Sequence, residues 1–135
     1  MAKSRHLIVV IVIVLAVVSL ACGGSVSTAN IRSATLSASA SGTPETTVFR
    51  QDDLTVYCIV TLANAPSDTT VKAVWTAVDV DGVDPNTLID ESELTSGDAE
   101  LTFEIANSQL WPVGSYKVDL YLNDKLDQTL EYEVQ

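Results

Sequence analysis

Trp111-Pro112-Val113-Gly114-Ser115-Tyr116-Lys117-Val118-Asp119-Leu120-Tyr121-Leu122-Asn123-Asp124 is the stretch whose reading decides the fold. From Tyr116 onward, Tyr116, Val118, Leu120 and Leu122 alternate with Lys117, Asp119 and Tyr121. That period of two is the signature of a strand with one buried face. Asn123 and Asp124 both tolerate positive φ, so they predict a tight turn. Beyond it, Leu126, Gln128, Leu130, Tyr132 and Val134 alternate with Asp127, Thr129, Glu131 and Glu133. The reading is a return strand with the first set turned inward.

The same pattern extends backwards. Ala99, Leu101, Phe103 and Ile105 alternate with Glu100, Thr102 and Glu104. Val71, Ala73, Trp75 and Ala77 share one face of a strand from Thr70 to Asp79, and Lys72, Val74, Thr76 and Val78 the other. Thr55 to Leu62 is rich in β-branched residues and closes at a turn cluster, Ala63 to Asp68. Thr87 to Leu94 reads as a short edge strand whose Asp90 and Glu91 discourage pairing with another chain. Ile31, Ala34, Leu36 and Ala38 make a weak first strand. No segment after residue 30 has a helical period. The expected fold class is therefore all-β, with about seven strands at sandwich spacing.

Composition narrows the chemistry. Of 135 residues, the only histidine is His6, near the N-terminus. The remainder therefore cannot build Ser-His-Asp or Cys-His nucleophile activation, and it lacks the commonest zinc ligand. After residue 21, five cations (Arg32, Arg50, Lys72, Lys117, Lys125) face all 18 acidic residues, a net charge of −13 over 114 residues. Clustered phosphate contacts need Lys and Arg, so the charge argues against a nucleic-acid partner. Cys58 lies among apolar neighbours and reads as a buried core residue.

The N-terminal 23 residues carry Lys3 and Arg5, an apolar run from Leu7 to Val18, and then Ser19-Leu20-Ala21-Cys22-Gly23. The run is shorter than the roughly 20 residues of a spanning helix, and a secretory signal fits it better. The segment resembles a prokaryotic lipoprotein signal peptide in its permissive form, with Ser19 where Leu is commoner. The resemblance implies a helical signal peptide over 1–21, lipid on Cys22, and membrane localisation on the extracytoplasmic side. An uncleaved anchor and ordinary secretion are the alternatives, and all three export the chain. If Cys22 is acylated, Cys58 has no intramolecular partner. Residues 22–30 read as a flexible tether and 31–135 as one domain.

The stretch from Trp111 to Asp124 is similar to a signature of immunoglobulin-like domains of prokaryotic surface proteins, in which a hairpin returns through an apolar-aromatic strand, here Leu130 to Val134. The resemblance covers roughly residues 31–135. It implies a single immunoglobulin-like antiparallel sandwich, in which Pro112 and Gly114 turn the chain into the strand and the Tyr116 hydroxyl reaches the backbone. The inter-sheet cysteine pair of antibody domains is missing, because Leu120 and Leu122 offer Cys58 no partner. Stability is then expected to rest on packing, with Trp75 in mid-core.

Candidate sites are few. Asp79, Asp81 and Asp84 could group oxygens for calcium, against the plainer reading of a solvated loop. No metal or other cofactor is expected. Tyr57, Ile59 and Val74 would form an outer apolar stripe on one sheet, joined by Trp111 and Tyr121 as a possible partner surface. Trp111 also reads as a plug at the sandwich end. The expected role is non-catalytic: a membrane-tethered binding or accessory module for an envelope protein or glycan. A spacer or envelope-assembly part is the alternative, and a carboxylate-only enzyme the remote one.

Overall fold

The computed structural model describes residues 27–135. Eight strands form among them: β1 (Asn30–Ser37), β2 (Val48–Phe49), β3 (Thr55–Ala63), β4 (Thr69–Val80), β5 (Thr87–Ser96), β6 (Ala99–Ala106), β7 (Gly114–Leu122) and β8 (Lys125–Val134). They make two sheets, β1-β3-β6 and β2-β8-β7-β4-β5. Every pairing is antiparallel except β2 with β8. Among the described residues there is no helix.

Alternation explains the core. β3 contributes Val56, Cys58, Val60 and Leu62, β4 contributes Val71, Ala73, Trp75 and Ala77, and β7 contributes Tyr116, Val118 and Leu120. Each set is a run of alternate residues, so the inner faces of two sheets meet as one apolar layer. Trp75 is fully buried and meets Tyr132 edge-on, with ring centroids 6.3 Å apart. Tyr132 stacks on Tyr116 at 5.3 Å and takes Phe49 edge-on at 5.3 Å.

Four details depart from the sequence reading. β2 makes eight strands rather than about seven; it has only two residues, too few to show a period. Glu133 N donates to the Thr47 carbonyl and Gln135 N to the Phe49 carbonyl, both at 2.9 Å, and Phe49 is fully buried. β5 runs ten residues rather than being short. Asn30, placed at the end of the tether, already pairs with Ala63. The fourth is Leu126. A bulge opposite Leu120/Tyr121 shifts the register, so that Leu120 faces Gln128 but Tyr121 faces Leu126. Leu126 therefore sits on the outer face, 57% exposed, while Gln128, Leu130, Tyr132 and Val134 keep the inward side.

The two ends of the sandwich differ. The end at which β1 begins is closed by short connections, Asn64–Asp68, Gly97–Asp98 and Asn123–Asp124. Asn123 and Asp124 have φ of 48° and 67°, as the primed hairpin turn requires. The opposite end gathers the longer ones: 38–47, 50–54, 81–86 and 107–113. The tight end leaves little adaptable surface, whereas loops on a rigid frame are where binding residues concentrate.

Candidate functional site

At the loop-rich end the chain is latched by backbone bonds. Trp111 Nε1 donates to the Leu54 carbonyl at 3.1 Å, and Asn107 N donates to the same oxygen at 2.9 Å. Trp111 N donates to the Gln51 carbonyl at 3.0 Å, and Gln51 Nε2 returns to the Trp111 carbonyl at 3.0 Å. The indole is buried, edge-on to Tyr116 at 6.1 Å. Trp111 is thus the plug that ties loop 50–54 to loop 107–113, and its ring is not part of an exposed partner surface. Three residues after Trp111 the chain enters β7, and Tyr116 Oη donates to the Pro112 carbonyl at 2.6 Å.

The expected stripe of Tyr57, Ile59 and Val74 does not exist as one face. Tyr57 and Ile59 lie on β3 in the three-stranded sheet, and Val74 lies on β4 in the five-stranded sheet. Alternation told which residues point outward but not from which sheet. Ile59 is also covered: the Gly42 backbone rests on it, so closely that a Cβ there would stand 3.4 Å from Ile59 Cδ1. Tyr57, between Ser37 and Glu104, remains half-buried.

On the five-stranded sheet, Tyr121 lies beneath Lys72, whose Nζ is 4.8 Å from the ring centroid. Val74 sits between Glu91 and Asp119. Asp119 faces outward yet is buried; Thr129 Oγ1 donates to it at 2.5 Å and Lys117 Nζ lies 3.4 Å away. Two of the five cations after residue 21 are therefore occupied with groups on their own sheet.

Asp79, Asp81 and Asp84 are all exposed, and they do not converge. Among the described residues no group of three or more His, Cys, Asp or Glu is arranged to hold a metal ion. Asp79 closes β4 against Ser115, Asp81 belongs to the following turn, and the Asp84 carbonyl caps Thr87 Oγ1 at 2.6 Å. A groove of about 490 Å³ runs over the outer side of β2, β8 and β7, lined by Val48, Val78, Ser115, Glu131 and Glu133 among others. Its two carboxylates project from one strand, so neither stands across the groove from the other as paired-carboxylate hydrolysis requires.

Cys58 is fully buried, and burial pushes its thiol up to about 12. A thiol held neutral is neither a nucleophile nor a metal ligand. Residues 1–21, Cys22 and the first part of the tether lie outside the described residues, and with them the proposed lipidation. Among the described residues no helix is long and apolar enough to cross a membrane.

No family model matches the chain, and no curated protein sequence does either. Its likeness is to solved structures. An immunoglobulin-like protein from Pseudomonas aeruginosa superposes with a TM-score of 0.56 over 83% of this chain and 100% of that one, at 13% identity. The alkylpurine DNA glycosylase AlkC of Pseudomonas fluorescens, bound to DNA containing an abasic site analog, matches at a TM-score of 0.51 and 17% identity. It covers 79% of this chain, which spans 30% of the glycosylase's length. At such identities the likeness is one of fold. The fold is an immunoglobulin-like sandwich, and such frames host unrelated roles.

Sequence reasoning passed over three apolar residues at the latched end. Leu54, Leu110 and Val113 are 40%, 60% and 39% exposed. The available signal was an apolar residue inside an otherwise polar loop, as in Gln51-Asp52-Asp53-Leu54 and Ser108-Gln109-Leu110.

Proposed function

We propose that this chain is a lipid-anchored, extracytoplasmic lipoprotein whose sandwich serves as a non-catalytic binding or accessory module for an envelope protein or glycan. The observation that carries the reading is Ser19-Leu20-Ala21-Cys22 directly after an apolar run, eight residues before β1 begins. A tether of that length, made mainly of small residues with two Gly and two Ser, holds a folded domain close to a membrane without fixing its orientation. One acyl chain binds a bilayer marginally, so stable anchoring requires more than one on Cys22.

Non-catalytic action is supported by the chemistry left to the domain. It has no histidine, its thiol is sealed in the core, and the carboxylates at its groove share one strand. A spacer without a ligand is the second reading, favoured by the covering of Ile59 by the 38–44 loop.

The test is the intact mass of the membrane fraction from a bacterial host expressing the full chain, beside Cys22→Ser. Cleavage before Cys22 with added acyl mass, lost in the variant, is the expected result. An uncut chain that stays membrane-bound in both would overturn the lipoprotein reading in favour of an uncleaved anchor.

A further inference from the structure

We propose that the loop end formed by residues 50–54, 81–86 and 107–113 docks, through its exposed Leu54, Leu110 and Val113, a protein partner whose own apolar surface is ringed by lysine or arginine. The proposal rests on the module reading above and names the partner's chemistry.

Leu54, Leu110 and Val113 stand at this one end of the sandwich. They belong to segments that the backbone fixes. The Leu54 carbonyl takes two hydrogen bonds, Leu110 precedes the plugged Trp111, and the Val113 carbonyl accepts Asp81 N at 3.0 Å. Side chains presented by a rigid frame lose little freedom on binding, which is what preorganisation contributes to affinity.

Charge selects the occupant. Asp52, Asp53, Asp81 and Asp84 are carried by the same loops. Arg50 engages the first two, its side chain pairing with Asp52 at 3.2 Å and its backbone N donating to the Asp53 carboxylate at 2.8 Å, which leaves Asp81 and Asp84 as the exposed carboxylates for a partner. Exposed apolar residues set among acidic loops repel a second copy of this acidic chain and an anionic lipid surface alike. They attract a surface whose apolar core is ringed by basic side chains.

The first strand is entered from the opposite end. Thr28 Oγ1 donates to the Asn64 carbonyl at 2.7 Å and Asn30 pairs with Ala63, so the described chain enters β1 at the tight end. β3 alone separates the two ends by nine residues, about 30 Å at strand rise. An anchor on Cys22, as proposed above, would join the domain at the end away from these loops.

The experiment places a photoreactive benzoylphenylalanine in the full chain, in its native host, at Leu54, Leu110 or Val113 and, as control at the tight end, at Leu126 or Leu94. All five side chains are exposed, so folding tolerates the probe. The expected result is one cross-linked protein from the three loop positions and none from the controls. The cross-linked peptide should carry Lys or Arg, and the yield should fall about tenfold when Asp81 and Asp84 are changed to Lys. Cross-links to lipid, to a second copy, equally from the controls, or not at all would overturn the proposal, as would a yield indifferent to charge reversal. The mass of Cys22 is read from the same cells. An acylated chain without cross-links leaves the tethered spacer standing, and cross-links from an unacylated chain leave docking standing without the anchor.

Discussion

Tyr116 Oη donates to the carbonyl of Pro112, 2.6 Å away and four residues upstream, so the tyrosine that opens β7 also holds the turn that leads into it. The bond fixes the chain where it reaches the five-stranded sheet from the latched end of the sandwich, and the ring, stacked on Tyr132, carries that constraint into the core. Tyr116→Phe keeps the ring and removes the bond, leaving the half-buried Pro112 carbonyl without this donor. A loss of about 0.5–1.5 kcal/mol is expected. Urea unfolding should show a lower midpoint with an unchanged slope, because the surface exposed on unfolding is the same.

Gly114 is required by both its conformation and its neighbours. Its φ of +153° is one that L side chains rarely adopt, and a Cβ there would meet the Asp79 carbonyl oxygen and stand 2.6 Å from Val80 Cα. Both obstacles are backbone and cannot swing away. Gly114→Ala should therefore destabilise the domain by more than about 1 kcal/mol, visible as a lowered thermal midpoint. A variant as stable as the wild type would mean that β4 and β7 separate there without cost.

The missing disulfide has an address. In sandwiches of this kind the second cysteine stands two residues after the corner tyrosine, which here is Val118 rather than Leu120 or Leu122. Cys58 on β3 and Val118 on β7 are both fully buried, one on each sheet. Val118→Cys is expected to bond to Cys58 under oxidising conditions and to add about 2–4 kcal/mol. Loss of thiol reactivity in the denatured protein, restored by reductant, is the check. Two thiols persisting after oxidation would show that the sheets hold these positions too far apart.

Alkaline pH should weaken the fold through the same cysteine. Its thiol, pushed up to about 12 by burial, stays protonated in the native state, whereas an unfolded thiol ionises near about 8.5. Between those values the native state binds the extra proton, so stability falls as pH rises, by at most about 1.4 kcal/mol per pH unit. Tyr132, raised by burial and by its neighbours Tyr116 and Cys58, and Tyr116, raised by burial, add to the loss above about pH 10. Urea midpoints near pH 7 and near pH 10 should diverge in the wild type and diverge less in Cys58→Val. An equal decline in both proteins would assign the effect to the tyrosines alone.

What the sequence determined is what a chain decides over a few residues. Alternation fixed the strand class and most of the inward side chains, from Val56 to Val134. Asn123-Asp124 fixed a two-residue turn through their tolerance of positive φ, and Tyr116 with Pro112 fixed a corner. Tertiary structure decided the rest. Leu126 changed sides because a bulge inserts one residue without a composition of its own, and a period of two inverts at every such step. Phe49 entered the core on a strand of two residues, too short for any period. Tyr57 and Val74, both outward by alternation, parted to opposite sheets because pairing partners are set by contacts distant in the chain. The latched end is the clearest case: Gln51, Leu54, Asn107 and Trp111 are more than fifty residues apart across its bonds, and only the closed sandwich brings their backbones within hydrogen-bond reach.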